Sequence, residues 1–258
     1  MEKQMLLVID IGNTNIVFGI IKGDQWIGNW RIQTDDRKTA DEYEVIFRSL
    51  LWHGQANGHE VEAIILSSVV PNLVQPISDM LAKLFGQNPI IVGPDIYPKL
   101  PIKILNPYQI GSDLVVNSLA AYTTYGKFVT VIDFGTALTF TTIGAEAVIK
   151  GVAIAPGLNT AVDALAGKTA QLPRVHLKAP PSALGQNTIH AIQSGVVLGY
   201  AGLVESMIRC INSELECEVT VVATGGLCQI MAPIIPAIHH VEPLLTLNGL
   251  RLVKEYVK

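Results

Sequence analysis

Residues 6–21 read LLVIDIGNTNIVFGII, and residues 129–144 read VTVIDFGTALTFTTIG. The second stretch is a variant of the first. Each has an apolar run, an Asp-x-Gly, a small polar turn and a second apolar run, so that Asp133 matches Asp10 and Gly135 matches Gly12. Two apolar runs flanking a tight polar turn predict a β-hairpin. Its recurrence predicts two structurally similar halves, each opening with strand, turn and strand.

Working outward from the first copy, residues 26–34 predict a third strand. A helix is expected from Thr39, which has capping-box spacing to Glu42. Tyr43, Ile46, Phe47, Leu50 and Leu51 fall on one face of it. Residues 62–69 read as a buried strand, Pro71 as a turn, 73–85 as a helix and 89–92 as a short strand. A proline-spaced segment follows, then a helix with Ser112 as its N-cap. Beyond the second copy, residues 151–158 predict a glycine-bounded strand and turn. A long helix is expected from about Asn187 to Glu214. Residues 219–226 read as a strand running into a Gly-Gly turn and a helix, and 247–257 as a closing helix. Strands alternating with helices place the chain in the α/β class. The expected division is 1–122 and 123–258, with the closing helix able to pack back on the first half.

The bulk composition narrows the function classes. A chain of 258 residues, 49% hydrophobic and 16% charged, can bury a large core without disulfides or a structural metal. A net charge of −4 without a basic run argues against nucleic-acid binding. Cys210, Cys217 and Cys228 form no CxxC pair and have no zinc-ligand spacing, which predicts three reduced thiols. Asp10 interrupts the first apolar stretch too early for a signal peptide. No apolar run reaches the roughly 20 residues of a membrane span.

The two Asp-x-Gly turns are the leading candidates for chemistry. A strand ending in a small polar turn exposes backbone N–H groups that can hold phosphate oxygens. An aspartate there reaches phosphate only through a cation. Asp133 could hold such a cation, and the Thr136 hydroxyl could reach outer phosphates. Residues 223–226, ATGG, read either as a plain strand-to-helix turn or as glycines that let a flat ligand such as adenine approach. Asp113 opens a predicted helix, where a carboxylate can simply complement the helix dipole, worth about 0.3–1 kcal/mol. The long helix carries Ala191, Gly195, Gly199 and Gly202. Each helical glycine costs about 1 kcal/mol relative to alanine. Close packing against another helix, of this chain or a second one, would offset that cost. The histidines show no HExxH pattern and receive no role.

Taken in order, DIGNTN (10–15), GSD (111–113), DFGTA (133–137), AIAPGL (153–158), Asn187-Thr188 with QSG (193–195), ATGG (223–226) and the terminal L-x-GL (247–250) resemble type III pantothenate kinases over nearly the whole chain. The resemblance implies two actin-like (ribonuclease H-like) halves, each a mixed sheet flanked by helices, with an ATP cleft between them. It implies ATP-dependent phosphorylation of pantothenate to 4'-phosphopantothenate, the first step of coenzyme A biosynthesis, by a cytoplasmic homodimer. It also implies a monovalent cation (K+ or NH4+) and a divalent metal (Mg2+) with ATP. Asp10, Ile11, Gly12, Asn13, Thr14, Asn15, Ile16, Val17 and Thr136 would bind ATP. Asp133 would bind the monovalent cation and Asp113 would be the catalytic base. Gly111, Ser112, Asp113, Leu114 and Thr188 would contact pantothenate, Thr188 across the dimer interface.

Two positions depart from the family pattern. The usual Gly-Ala-Asp-Arg has Leu114 in place of Arg, and Ile104 stands where a substrate-contacting Tyr is usual. Losing an Arg hydrogen bond to a charged group weakens carboxylate binding by roughly 10- to 150-fold. The alternative expectation is therefore a catalytically impaired or regulatory homologue that keeps the ATP cleft.

Overall fold

A computed structural model describes residues 5–53 and 61–257. The first sheet holds β1 (Met5–Ile11), β2 (Asn15–Lys22), β3 (Gln25–Gln33), β4 (Val61–Ser68) and β5 (Ile90–Ile91), in the order β3-β2-β1-β4-β5. The second holds β6 (Val129–Phe134), β7 (Ala137–Ile143), β8 (Ile149–Pro156), β9 (Thr220–Thr224) and β10 (His240–Val241), in the order β8-β7-β6-β9-β10. The two orders are the same. In each sheet the first three strands form an antiparallel meander, and two parallel strands extend the other side. The sequence repeat is thus a repeat of whole sheets. Asp10 lies beside Val17 on β2 and Ser67 on β4, and Asp133 beside Thr139 on β7 and Thr224 on β9.

Contacts along the chain define two compact units, one running to Ala120 and resuming at Thr246, the other Ala121–Leu245. In the first, alternation on β1 and β2 sends Leu7, Ile9, Ile11, Ile16, Phe18 and Ile20 to one face. That face packs against Tyr43, Phe47 and Leu51 of α1 (Ala40–His53) and Leu73, Ile77 and Leu81 of α2 (Pro71–Phe85). The Phe18 ring stacks on Phe47 at 4.2 Å between centroids. The capping box forms as expected: Thr39 N–H donates to Glu42 at 2.8 Å, and Glu42 N–H to the Thr39 hydroxyl at 3.3 Å. Pro71 is the first residue of α2 rather than a separate turn, because that position has no intrahelical N–H bond to lose. Gly86, at φ 72°, ends α2 in the left-handed region that a residue without Cβ adopts freely. α3 (Ser112–Tyr125) begins in this unit. The closing helix α8 (Leu245–Tyr256) packs so tightly that a Cβ on Gly249 would strike the Val116 carbonyl of α3.

In the second unit, Ile132, Phe134, Leu138 and Phe140 face Leu158 and Val162 of α4 (Leu158–Lys168) and Ala201, Val204 and Ile208 of α6 (Gly199–Leu215). The expected long helix is continuous over Thr188–Leu215 but not uniform. α5 (Thr188–Gln193) leads into a π turn, Ser194–Leu198, and then α6. Asn187 caps α5 by accepting the His190 N–H at 2.9 Å. The helix is long and apolar enough to cross a membrane by length and composition alone. Its apolar residues Ile192, Val196, Val197, Val204 and Ile208 belong to the core of the second unit. α7 (Cys228–Met231) follows the turn after β9. Cys210, Cys217 and Cys228 form no disulfide among the described residues.

Candidate active site

The first turn is held by its own backbone: Gly12 N–H donates to the Asn15 carbonyl at 3.0 Å, and the Thr34 hydroxyl donates to the Gly12 carbonyl at 2.6 Å. Ile11 and Ile16 on either side are fully buried. Their side chains therefore serve the core, and only their backbone is available to a ligand. Asn13 and Thr14 are exposed at the tip, and Asp10, Gly12, Asn15 and Val17 are half-buried.

The second turn is more crowded. A Cβ on Gly225, whose φ is +87°, would strike the Asp133 carboxylate and come within 2.7 Å of the Phe134 N–H nitrogen. A Cβ on Gly157 would strike the Gly135 carbonyl and come within 2.5 Å of the Thr136 carbonyl. The glycine of the ATGG stretch therefore admits Asp133, an approach from within the chain. Thr136 is exposed, and its carbonyl accepts from Gly157 N–H at 3.0 Å and from the Thr160 hydroxyl at 2.8 Å. Thr139 lies directly opposite Asp133 and so shares its face of the sheet. Its buried hydroxyl has no hydrogen-bond partner among the described residues.

Asp113 sits in the first turn of α3. Gly111 lies beside it, so close that a Cβ there would displace the Asp113 carboxylate. The carboxylate accepts the Leu114 N–H at 2.8 Å. Burial pushes its pKa up, and the nearby backbone N–H groups oppose that shift. Ser112 is not the N-cap. Its hydroxyl contacts the Ser67 hydroxyl at 2.9 Å and bonds to the Ser68 backbone at 3.2 Å, which fastens the start of α3 to the end of β4. The Gly111 carbonyl takes the capping place, accepting Val115 N–H at 3.3 Å. Leu114 is 8% exposed, an apolar side chain that offers no hydrogen-bonding group. Ile104 is half-buried.

Thr188 is the first residue of α5. It is exposed and lines a cavity of about 660 Å³ with Leu165, Leu172, Ala191, Ile192 and Tyr200. Gly195 lines this cavity too. Apart from the neighbouring residues and the helix's own backbone, no described atom lies within 4 Å of where a Cβ would stand on Gly195, Gly199 or Gly202. Packing within this chain therefore does not offset the cost of these glycines. Among the described residues no group of three or more His, Cys, Asp or Glu side chains could hold a metal. One buried aromatic escaped the sequence reading: Tyr97 lies in the proline-spaced segment 94–107, where neither periodicity nor a motif marks it.

A duplicated sheet of this order, with an Asp-x-Gly turn in each copy, defines the actin-like fold. Two solved structures share it at a TM-score of 0.60. One is a conserved putative Baf family transcriptional activator from Campylobacter jejuni, 19% identical and covering 96% of this chain and 97% of that one. The other is a putative 2-dehydro-3-deoxygalactonokinase from Sinorhizobium meliloti, 13% identical and covering 98% and 96%. The chain belongs to the type III pantothenate kinase family, whose profile matches residues 6–210. It is 43% identical to the type III pantothenate kinase of Moorella thermoacetica over 251 residues, covering 97% of this chain and 99% of that one.

Proposed function

We propose that the protein transfers the γ-phosphoryl group of ATP to the primary alcohol of pantothenate, giving 4'-phosphopantothenate and ADP. Family membership supports the substrate pair, and the buried carboxylate of Asp113 beneath Gly111 is the observation that carries the chemistry. An ordinary carboxyl pKa of about 3.9 is far too low to deprotonate an alcohol beforehand. In a loose transition state it does not need to, because the proton leaves late. Asp113 orients the hydroxyl and accepts its proton as the new P–O bond forms and the bond to ADP breaks. Positioning and charge neutralisation supply most of the acceleration.

Residues Asp10 to Val17 and Thr136 would bind ATP, the first group through turn amides. A divalent ion such as Mg2+ would accompany the nucleotide and neutralise phosphate charge. Asp133 suits a monovalent cation (K+ or NH4+). It is a single carboxylate, and the unpartnered Thr139 hydroxyl opposite adds a neutral oxygen. A divalent ion favours more anionic oxygens. The open faces of Gly195, Gly199 and Gly202 support a homodimer packed along this helix, with Thr188 touching pantothenate from the partner subunit. Turnover in the cytoplasm fits this role.

The deciding experiment is a coupled assay with ATP and pantothenate, with and without potassium, on the wild type and Asp113→Asn. The variant is expected to bind ATP normally and to lose at least about 10²-fold in kcat. Near-normal turnover would remove Asp113 from its role. No turnover by the wild type even at millimolar pantothenate, with ATP still bound, would favour the regulatory homologue that Leu114 and Ile104 suggest. The same variant has a stability signature. Burial raises the folded-state pKa of Asp113 above its unfolded value, so its charge costs stability at neutral pH, and that cost vanishes as pH falls through the raised value. Asp113→Asn is expected to melt at a higher temperature than the wild type at pH 7.

A further inference from the structure

The backbone of the first turn is gripped from the end of β3. Thr34 directly follows that strand. Its N–H donates to the Thr14 carbonyl at 3.0 Å, one step beyond the last pair, Asn15 and Gln33. Its hydroxyl reaches further and donates to the Gly12 carbonyl at 2.6 Å. One residue thus ties down two peptide units of the connection 12–15. Thr34 is itself fixed from behind. The fully buried Tyr43 of α1 donates its hydroxyl proton to the Asp35 carbonyl at 2.8 Å and accepts the Asp35 N–H at 3.1 Å.

The second turn shows which of these bonds belongs to the repeat. Gly157 directly follows β8, the third strand of its sheet, and its N–H donates to the Thr136 carbonyl at 3.0 Å, as the Thr34 N–H does to Thr14. The backbone bond is therefore common to both turns. The hydroxyl bond to Gly12 is not, since the threonine of the second unit, Thr160, bonds that same Thr136 carbonyl at 2.8 Å. What the extra bond fixes is the direction of one amide. Among the described residues no peptide bond is cis. In a planar trans peptide the C=O and N–H point opposite ways. A Gly12 carbonyl held toward Thr34 therefore turns the Asn13 N–H away from Thr34, at the exposed tip. Accepting a hydrogen bond at the carbonyl also polarises the peptide and strengthens its N–H as a donor.

We propose that Thr34 is a positioning residue for the nucleotide: its hydroxyl aims the Asn13 N–H at a phosphate oxygen of ATP. The proposal rests on the reading of residues 10–17 as the ATP phosphate loop.

Thr34→Val keeps the side-chain shape and the backbone N–H and removes the hydroxyl, whereas Thr34→Ser keeps the hydroxyl. Dissociation constants are measured by calorimetry for ATP and for adenosine, which has no phosphate, and KM is measured for both substrates. Thr34→Val is expected to weaken ATP binding and raise its KM by about 2- to 10-fold, the range for one uncharged hydrogen bond. Adenosine affinity and the KM for pantothenate are expected to stay at wild-type values, and Thr34→Ser to restore ATP affinity. An equal loss for adenosine, or a serine variant as weak as the valine one, would overturn the proposal. A wild type that favours ATP over adenosine while Thr34→Val leaves that preference intact removes Thr34 alone. A wild type that binds ATP no more tightly than adenosine sinks the phosphate-loop reading and the proposal with it.

Discussion

The two hairpins share an ancestor pattern and a sheet order, yet they are packed differently. The connection between paired residues Ile11 and Ile16 encloses residues 12–15, whereas that between Phe134 and Leu138 encloses only 135–137. The longer turn is the less crowded: a Cβ on Gly12 would meet the Asn15 carbonyl at 3.1 Å, a contact that needs only a small shift. The shorter one is enclosed, with Gly157 against its carbonyls and Gly225 against Asp133. The second turn fixes one carboxylate rigidly, as a cation site would require. Equivalent positions in a repeat need not carry equivalent constraints.

Alanine substitutions measure that difference directly by shifts in urea unfolding. Gly225→Ala forces a side chain into a positive φ and against the Asp133 carboxylate, and is expected to cost about 2–5 kcal/mol. Gly157→Ala keeps an ordinary φ of −69° but meets two backbone carbonyls that cannot rotate away, for about 1–3 kcal/mol. Gly12→Ala needs only a few tenths of an ångström from one carbonyl and is expected to cost less than about 1 kcal/mol. Equal losses at positions 12 and 225 would erase the contrast. A Gly157 loss as large as that at Gly225 would show that clash alone, without backbone strain, accounts for it.

Much of this architecture was legible in the sequence because the repeat carries its own register. Aligning Asp10 with Asp133 predicted both hairpins. The capping box at Thr39 and Glu42 was readable because both partners are local. Non-local partners hid the rest. Ser112 looked like an N-cap, but its hydroxyl is taken by β4, distant in sequence. The π turn at Ser194–Leu198 has no composition of its own, and the alternation that marks a strand says nothing of α4. The ATGG stretch read either as a plain strand-to-helix turn or as room for a flat ligand. What approaches it is Asp133, a contact that exists only once β6 and β9 pair. Within the candidate site, Asp113 was visible by its motif, whereas the burial that raises its pKa was not.

The return of the chain to the first unit from Thr246 has a consequence for biosynthesis. Leu247, Leu250 and Val253 are buried, and Gly249 nests on the α3 backbone. A ribosome releases these residues after the entire second unit, so the half that is translated first must wait, with the apolar flank of α3 uncovered, until the second unit has been made. Nascent chains stalled before residue 246 should accordingly be the species that chaperones hold.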